Sequence, residues 1–167
     1  FTKGELLGGD AVAIKNGSNA AHTYFEKNKT TRNTSTFEAD KKFKSGNSFK
    51  LKQSLNLFKR SIELPGYLFA GSNANSFTDA SYIFFKPEHT VIAGANAVYE
   101  KFNQQNIGPL SSQSFTTGVY IQDTWDAEDD FKIETGLRID NAAYKNSNYR
   151  KNQAFILPRI SGLFNFN

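Results

Sequence analysis

The chain has 167 residues, 38% of them apolar and 22% charged, with 16 Phe, 7 Tyr, 1 Trp and neither Cys nor Met. That length supports one domain with a sizeable core. Without Cys there is no disulfide scaffold, thiolate metal site or cysteine nucleophile. The net charge of +4, from 20 Lys+Arg against 16 Asp+Glu, is mild and mixed along the chain, so it makes no case for nucleic acid. No run of about 18 uncharged apolar residues exists, which rules out a transmembrane helix but not a transmembrane β-barrel, whose strands are only half apolar. The opening Phe1-Thr2-Lys3 has no initiator or leader pattern and reads as a fragment or processed product.

In chain order, period-two segments fall at Asp10 to Lys15, Ala20 to Lys27, Thr34 to Lys44, Ser48 to Leu57, Phe77 to Lys86, Thr90 to Phe102, Ser114 to Trp125, Phe131 to Asp140 and Ala154 to Phe166. These amount to about nine strands. In Ser48 to Leu57, Phe49, Leu51, Leu55 and Leu57 oppose Lys50, Lys52, Ser54 and Asn56, and Gln53 alone breaks the alternation. In Phe131 to Asp140, Phe131, Ile133, Thr135, Leu137 and Ile139 share one face, while Lys132, Glu134, Arg138 and Asp140 share the other. Each of these two strands therefore has a greasy side and a wet side, whereas Thr90 to Phe102 has small or apolar residues on both.

The connections alternate in this reading. Short turns are expected at Asn16-Gly17, Lys44 to Asn47, Lys86 to His89 and Asp126 to Asp129. Longer polar loops are expected at Lys27 to Asn33, Leu64 to Ser76, Asn103 to Gln113 and Asn141 to Gln153. In an up-and-down meander every second connection lies at the same end, so short turns gather at one end and long loops at the other, the arrangement of outer-membrane barrels. Several strands also reach the roughly 9 to 11 residues that a tilted strand needs to cross a bilayer. The fold class expected is all-β: an antiparallel up-and-down meander of 8–10 strands, a barrel or part of one, in a single unit over residues 1–167.

The segment Gly118-Val119-Tyr120-Ile121-Gln122-Asp123-Thr124-Trp125, followed by a short turn, Thr135-Gly136-Leu137-Arg138-Ile139-Asp140 and Leu157-Pro158-Arg159-Ile160-Ser161, resembles the barrel of a TonB-dependent outer-membrane receptor. In that family a strand ending in Gln-Asp and an aromatic enters a periplasmic turn, and the next strand carries Gly-Leu-Arg and an Asp before an external loop. Ile139 departs from the pattern, which has an aromatic there. The likeness is specific over about the last 50 residues and general before them. It implies part of a receptor that binds a scarce nutrient (a siderophore, cobalamin or an oligosaccharide) at its outer face and admits it with energy relayed through TonB. The plug domain, the TonB-contacting segment and more than half of the family's roughly 22 strands lie outside these residues. The partners implied are the extracellular ligand, TonB through those other segments, and outer-membrane lipid.

The residues offer few candidate sites. His22 and His89, the two histidines, have no second ligand at a metal spacing and read as structural or solvated. The acidic group Asp123, Asp126, Glu128, Asp129 and Asp130 lacks the carboxylate alternation and central Gly of a calcium loop, and reads as a polar turn. Lys41, Lys42, Lys44, Lys50, Lys52, Lys59 and Arg60, with Phe43, Phe49 and Phe58 among them, carry the composition of a nucleic-acid stacking surface. Period two, however, puts Lys50 and Lys52 on the face opposite Phe49 and Leu51, so a wet face is the better reading. Trp125, Tyr120 and Tyr99 are either an interfacial girdle or core residues of a soluble barrel. Arg138 and Arg159 read as ion-pair members on the wet face. No catalytic motif is found, no cofactor is expected, no metal site is assigned and no ligand-binding residue is singled out. The competing reading is a soluble β-barrel or lectin-like module that binds a small ligand.

Strands cut from a larger barrel leave two open edges and an uncovered apolar face. The chain taken alone is therefore expected either to curl into a small closed barrel, with Phe131, Ile133, Leu137 and Ile139 inward, or to join its edges to another copy.

Overall fold

A computed structural model describes residues 1–106, 110–128 and 130–164. It is one eight-stranded antiparallel sheet in the order β1 to β8, each strand paired with its neighbours in sequence. The strands are β1 (Thr2–Gly9), β2 (Phe25–Lys42), β3 (Ser48–Leu64), β4 (Tyr67–Phe85), β5 (His89–Gln105), β6 (Ser112–Glu128), β7 (Phe131–Asn146) and β8 (Arg150–Phe164). One short helix, α1 (Ala11–Asn16), follows β1. The meander is therefore as expected, with eight strands.

The boundaries differ from the sequence reading in several places, and of the expected strand Ala20 to Lys27 only Phe25 to Lys27 is strand. Asp10 to Lys15 is not a strand: the Asp10 carboxylate accepts from the Val12 and Ala13 amides and caps α1, as a short acidic side chain does at a helix start. Asn16-Gly17 is then no hairpin turn. Gly17, at φ 86°, is the C-cap of that helix. Residues 27–33 are not a loop, because β2 runs unbroken through them against β1 and β3. Leu64 to Ser76 is not a loop either: β3 and β4 meet through Pro65-Gly66 alone, with Gly66 at φ 73°, the conformation a Pro-Gly turn requires. β7 likewise continues to Asn146, so the long loop expected at Asn141 to Gln153 shrinks to residues 147–149. The Asn103 to Gln113 link spans 106–111, of which 107–109 lie outside the described residues, as do Asp129 and Phe166. The turns after β2, β4 and β6 are short, as expected. The loops expected at 27–33, 64–76 and 141–153 are instead largely paired strand.

The register fixes two faces. Across the middle, Leu51, Ala80, Ala95, Val119, Ile139 and Ile156 lie in one row, and Phe49, Tyr82, Ala93, Ile121, Leu137 and Pro158 in the next. On this apolar face β5 carries no charge from Val91 to Tyr99, between His89 and Lys101. At about 3.4 Å per residue and a tilt of 35–45°, such a stretch of about nine residues is close to 25 Å tall, the height of a lipid-facing band. Gln53, the residue that breaks the alternation, is satisfied inside the band: Thr78 Oγ1 donates to its Oε1, and its Nε2 donates to Ser76 Oγ at 3.1 Å.

The sheet has almost no core, since among the described residues only Ala13 and Phe25 are buried apolar side chains. Its accessible surface is 11741 Å² for 18.7 kDa, whereas a compact monomer of that mass exposes about 8,300 Å². If half of the roughly 3,400 Å² excess is apolar, leaving it wet forfeits on the order of 40 kcal/mol, more than the whole stability of a typical domain. Nothing among the described residues covers it. The closed-barrel expectation is corrected here: β1 and β8 are each paired on one side only, and Leu137 and Ile139 stand exposed on the uncovered face.

Candidate functional site

The polar face is organised by two rows of facing residues. One runs Glu38, Lys52, Asp79, Asn96, Gly118, Asp140, and the next Asp40, Lys50, Ser81, Gly94, Tyr120, Arg138. Glycines clear a path for long side chains to cross a whole strand. Tyr120 on β6 passes over Gly94 of β5, where an added Cβ would lie 2.5 Å from its ring, and donates to the Asp79 carboxylate of β4 at 3.1 Å. Arg138 on β7 passes over Gly118 of β6 to donate to Asn96 Oδ1 at 3.2 Å, while its Nε donates to Asp140 at 2.8 Å. A cavity of about 470 Å³ opens over this cluster, with Phe77, Gln122, Leu157 and Arg159 at its margin. Arg159 approaches Glu134 at 2.8 Å as an ion pair without hydrogen-bond alignment. Arg138 and Arg159 are thus ion-pair members, as expected.

Toward the α1 end the same face changes character. The Phe69 and Phe102 rings converge over Gly71, where an added Cβ would lie 3.2 and 3.4 Å from them. Next to them the side-chain oxygens of Asn73 and Asn75 are buried without a hydrogen-bond partner among the described residues. Arg32 lies over the Phe58 ring at 5.2 Å. Aromatic faces beside open amide acceptors suit a ligand with ring or sugar surfaces and donor groups. The sequence reading missed this patch, because Phe69, Gly71, Asn73 and Asn75 sit in the stretch read as a loop. Their shared odd numbering was the only available signal.

The other candidates fall as follows. His22 Nδ1 meets Asp10 Oδ2 at 2.7 Å, and this bond, with the helix-capping amides, holds the exposed Asp10 carboxyl below its ordinary 3.8. His89 Nδ1 meets Asp123 Oδ2 at 2.8 Å and stacks on Trp125 at 5.9 Å. Of the acidic group, Asp126 pairs with Lys132 at 2.8 Å, and no metal-holding cluster occurs among the described residues. Lys50 and Lys52 pair with Asp40 and Glu38 at 3.7 and 3.2 Å on the polar face, away from Phe49. Phe43 stacks on Tyr82 at 5.8 Å. Trp125 and Tyr99 lie on the apolar face at opposite ends of the uncharged band, where a girdle belongs. Tyr120 does not join them. It is on the polar face, in the cluster with Asp79.

An uncharged band backed by a charged, glycine-notched face is the cross-section of a membrane barrel wall. The sequence matches the family model described as TonB dependent receptor-like, beta-barrel over residues 5–167. The chain belongs to this family. No curated protein matches the sequence. Among solved structures, that titled "Structure of the FpvAI-pyocin S2 complex" aligns with a TM-score of 0.67 at 12% identity, over 91% of this chain and 27% of that one. At that identity the likeness is one of fold, and this chain spans about a quarter of the neighbour's length. TonB-dependent receptor barrels are outer-membrane receptors and transporters.

Proposed function

We propose that these residues form part of the wall of an outer-membrane nutrient receptor, taking up a siderophore, cobalamin or an oligosaccharide with energy relayed through TonB, and that they carry no enzymatic activity. The observation behind this reading is the uncharged band on one face directly backed by Glu38, Lys52, Asp79, Arg138 and Asp140 on the other. Such a sheet is at home only between lipid and a polar interior. In the receptor the free edges of β1 and β8 continue into further strands, and contact with TonB falls to segments outside the barrel.

In this reading Phe69, Phe102, Asn73 and Asn75 face the external part of the lumen and touch the ligand. The test is to titrate the full receptor, folded in detergent, with a ferric siderophore, cobalamin and a maltooligosaccharide. Phe69→Ala combined with Phe102→Ala is expected to weaken whichever binds by about tenfold or more, at roughly 1 kcal/mol per stacked ring. Undiminished binding in the double variant, or binding by none of the three probes, refutes the assignment.

A further inference from the structure

Toward the α1 end the polar face carries two arginines that no carboxylate among the described residues neutralises. Arg32 on β2 and Arg60 on β3 share this face with Glu38 and Lys52 by the period of their strands. Arg32 faces Phe58 and Arg60 faces Thr30, so the two are diagonal neighbours, about 7–8 Å apart at the backbone. Arg60 Nε donates to Asn28 Oδ1 at 3.1 Å, and Arg32 lies over the Phe58 ring at 5.2 Å. Both guanidinium groups are otherwise without a hydrogen bond or ion pair among the described residues, and both side chains are exposed. The nearest carboxylates on this face, Glu26 and Glu100, are each about 14 Å or more from both arginines, backbone to backbone. Mid-sheet the same face behaves differently: Lys50, Lys52 and Arg138 meet Asp40, Glu38 and Asp140.

The register sets the arginines against the aromatic patch. One row runs Thr2, Arg32, Phe58, Asn73, Phe102, and the next Gly4, Thr30, Arg60, Gly71, Gln104. Gly4 has no side chain to cover the guanidinium groups from the β1 side, and on the β4 side the Phe69 and Phe102 rings lie over Gly71. Three kinds of group therefore meet within three adjacent rows: a pair of guanidinium groups, ring faces, and the Asn73 and Asn75 oxygens that receive no donor.

Each kind calls for a different chemical feature of the ligand. Guanidinium groups take a planar oxyanion such as a carboxylate, two hydrogen bonds at a time. Phenyl rings take the apolar face of another ring. Amide oxygens take hydroxyl or N–H donors. We propose that this surface binds an acidic oligosaccharide, with a ring carboxylate on Arg32 and Arg60, a sugar face on Phe69 and Phe102, and hydroxyls donating to Asn73 and Asn75. A neutral oligosaccharide leaves the arginines unpaired. A ferric catecholate has its oxygens on iron and brings no hydroxyl to the asparagines, and cobalamin has no carboxylate. The inference rests on the ligand-contact reading of this patch above and narrows it.

The experiment titrates the full receptor, folded in detergent, with an oligogalacturonate, with the same chain methyl-esterified and with a maltooligosaccharide. The acid is expected to bind at least about tenfold tighter than either neutral probe, the worth of one charge-assisted hydrogen bond. That margin is expected to shrink as salt rises. Arg32→Gln/Arg60→Gln is expected to erase the margin and leave the neutral probes nearly unchanged. Equal binding of acid and ester by the wild type overturns the proposal with no variant needed, and so does a margin that survives in the arginine variant. A ferric catecholate that displaces the acid and is itself lost in the arginine variant reduces the pair to a plain anion site, and overturns it too. Phe69→Ala/Phe102→Ala separates the two readings. If that variant weakens the sugars but the wild type shows no margin for the acid, this inference alone fails. If it weakens none of the three probes, or if the wild type binds none of them, the ligand-contact reading fails with it.

Discussion

Placing an arginine at position 119 separates a lipid-facing wall from a water-facing sheet. Val119 is 57% exposed and lies mid-band on β6, between Ala95 on β5 and Ile139 on β7. The nearest charged or amide residues on its own strand and face are Asp123, four residues toward the short turns, and Gln113, six residues the other way. At about 3.4 Å per residue these are roughly 14 and 20 Å off, beyond the reach of a snorkelling guanidinium. In lipid, Val119→Arg is therefore expected to cost about 2–4 kcal/mol. In water an exposed valine replaced by arginine would change stability by about 0.5 kcal/mol or less. The control is Thr116→Arg, three residues away on the polar face beside Val98 and Ala142, where the same charge meets the wet interior and the change is expected to stay within about 0.5 kcal/mol. Folding of the full receptor into phosphatidylcholine vesicles across a urea series, scored by heat-modifiable migration, gives both values. Equal midpoints for the two variants would refute the assignment of faces.

The glycine notch makes a second prediction: Gly94→Val drives its side chain into the Tyr120 ring and against Ala80 O at 2.9 Å, an overpacking expected to cost about 1–3 kcal/mol. Tyr120→Ala in the same background should recover part of that loss, and strict additivity in the double-mutant cycle would contradict the notch. A third concerns acid: because the folded Asp10 carboxyl sits below 3.8, its capping of α1 is present above that value and is lost as pH falls through the folded value. The Val12 and Ala13 amides should therefore keep their exchange protection from pH 6 to pH 4 and lose it below, whereas loss already at pH 5 would contradict the cap. A fourth concerns the 167 residues expressed alone. With edges at β1 and β8 and an uncovered apolar face they should associate, and a stable monomer in detergent-free buffer, judged by light scattering, would count against the exposed-face argument.

The band was legible in the sequence because only there do the two faces of a strand differ sharply in polarity. Leu51 against Lys52, or Ile139 against Arg138, shows the period directly. Above the band both faces are wet, so Ser72, Asn73 and Asn75 on β4 or Asn28 and Thr30 on β2 alternate without any change in polarity and read as loop, although their backbones are fully paired. The short Ala-Val-Ala-Ile run was ambiguous for a different reason. Four residues cannot separate periods of 2 and 3.6, and the deciding contact, Asp10 to the amides of Val12 and Ala13, is a cap rather than a pattern. The polar cluster was half visible. Arg138 and Asp140 announce a pair, but the use of Gly94 and Gly118 as passages depends on which strand lies opposite, and register is a property of the sheet, not of any one segment.

That dependence on register constrains whatever occupies the lumen. Asp79 faces Lys52 directly, yet Lys52 pairs with Glu38, and the only hydrogen bonds Asp79 receives among the described residues come from the Tyr120 hydroxyl. A carboxylate retains acceptor capacity well beyond one hydroxyl. Asp79 lies at the depth of Ala80 and Ala95 in the band, and in the proposed barrel wall a layer of lipid is one sheet thickness away there, so bulk water would not reach it from outside. The groups that complete its solvation must come from the cavity over Asp79, Asn96, Tyr120 and Arg138, as ordered water or as donors on an inserted surface. An apolar occupant would strand Asp79 and cost several kcal/mol. The surface that fills this part of the barrel is therefore polar, with donors opposite β4 and β5, and Asp79→Leu should loosen its seating, whereas Asp79→Asn, which keeps one acceptor, should do so much less.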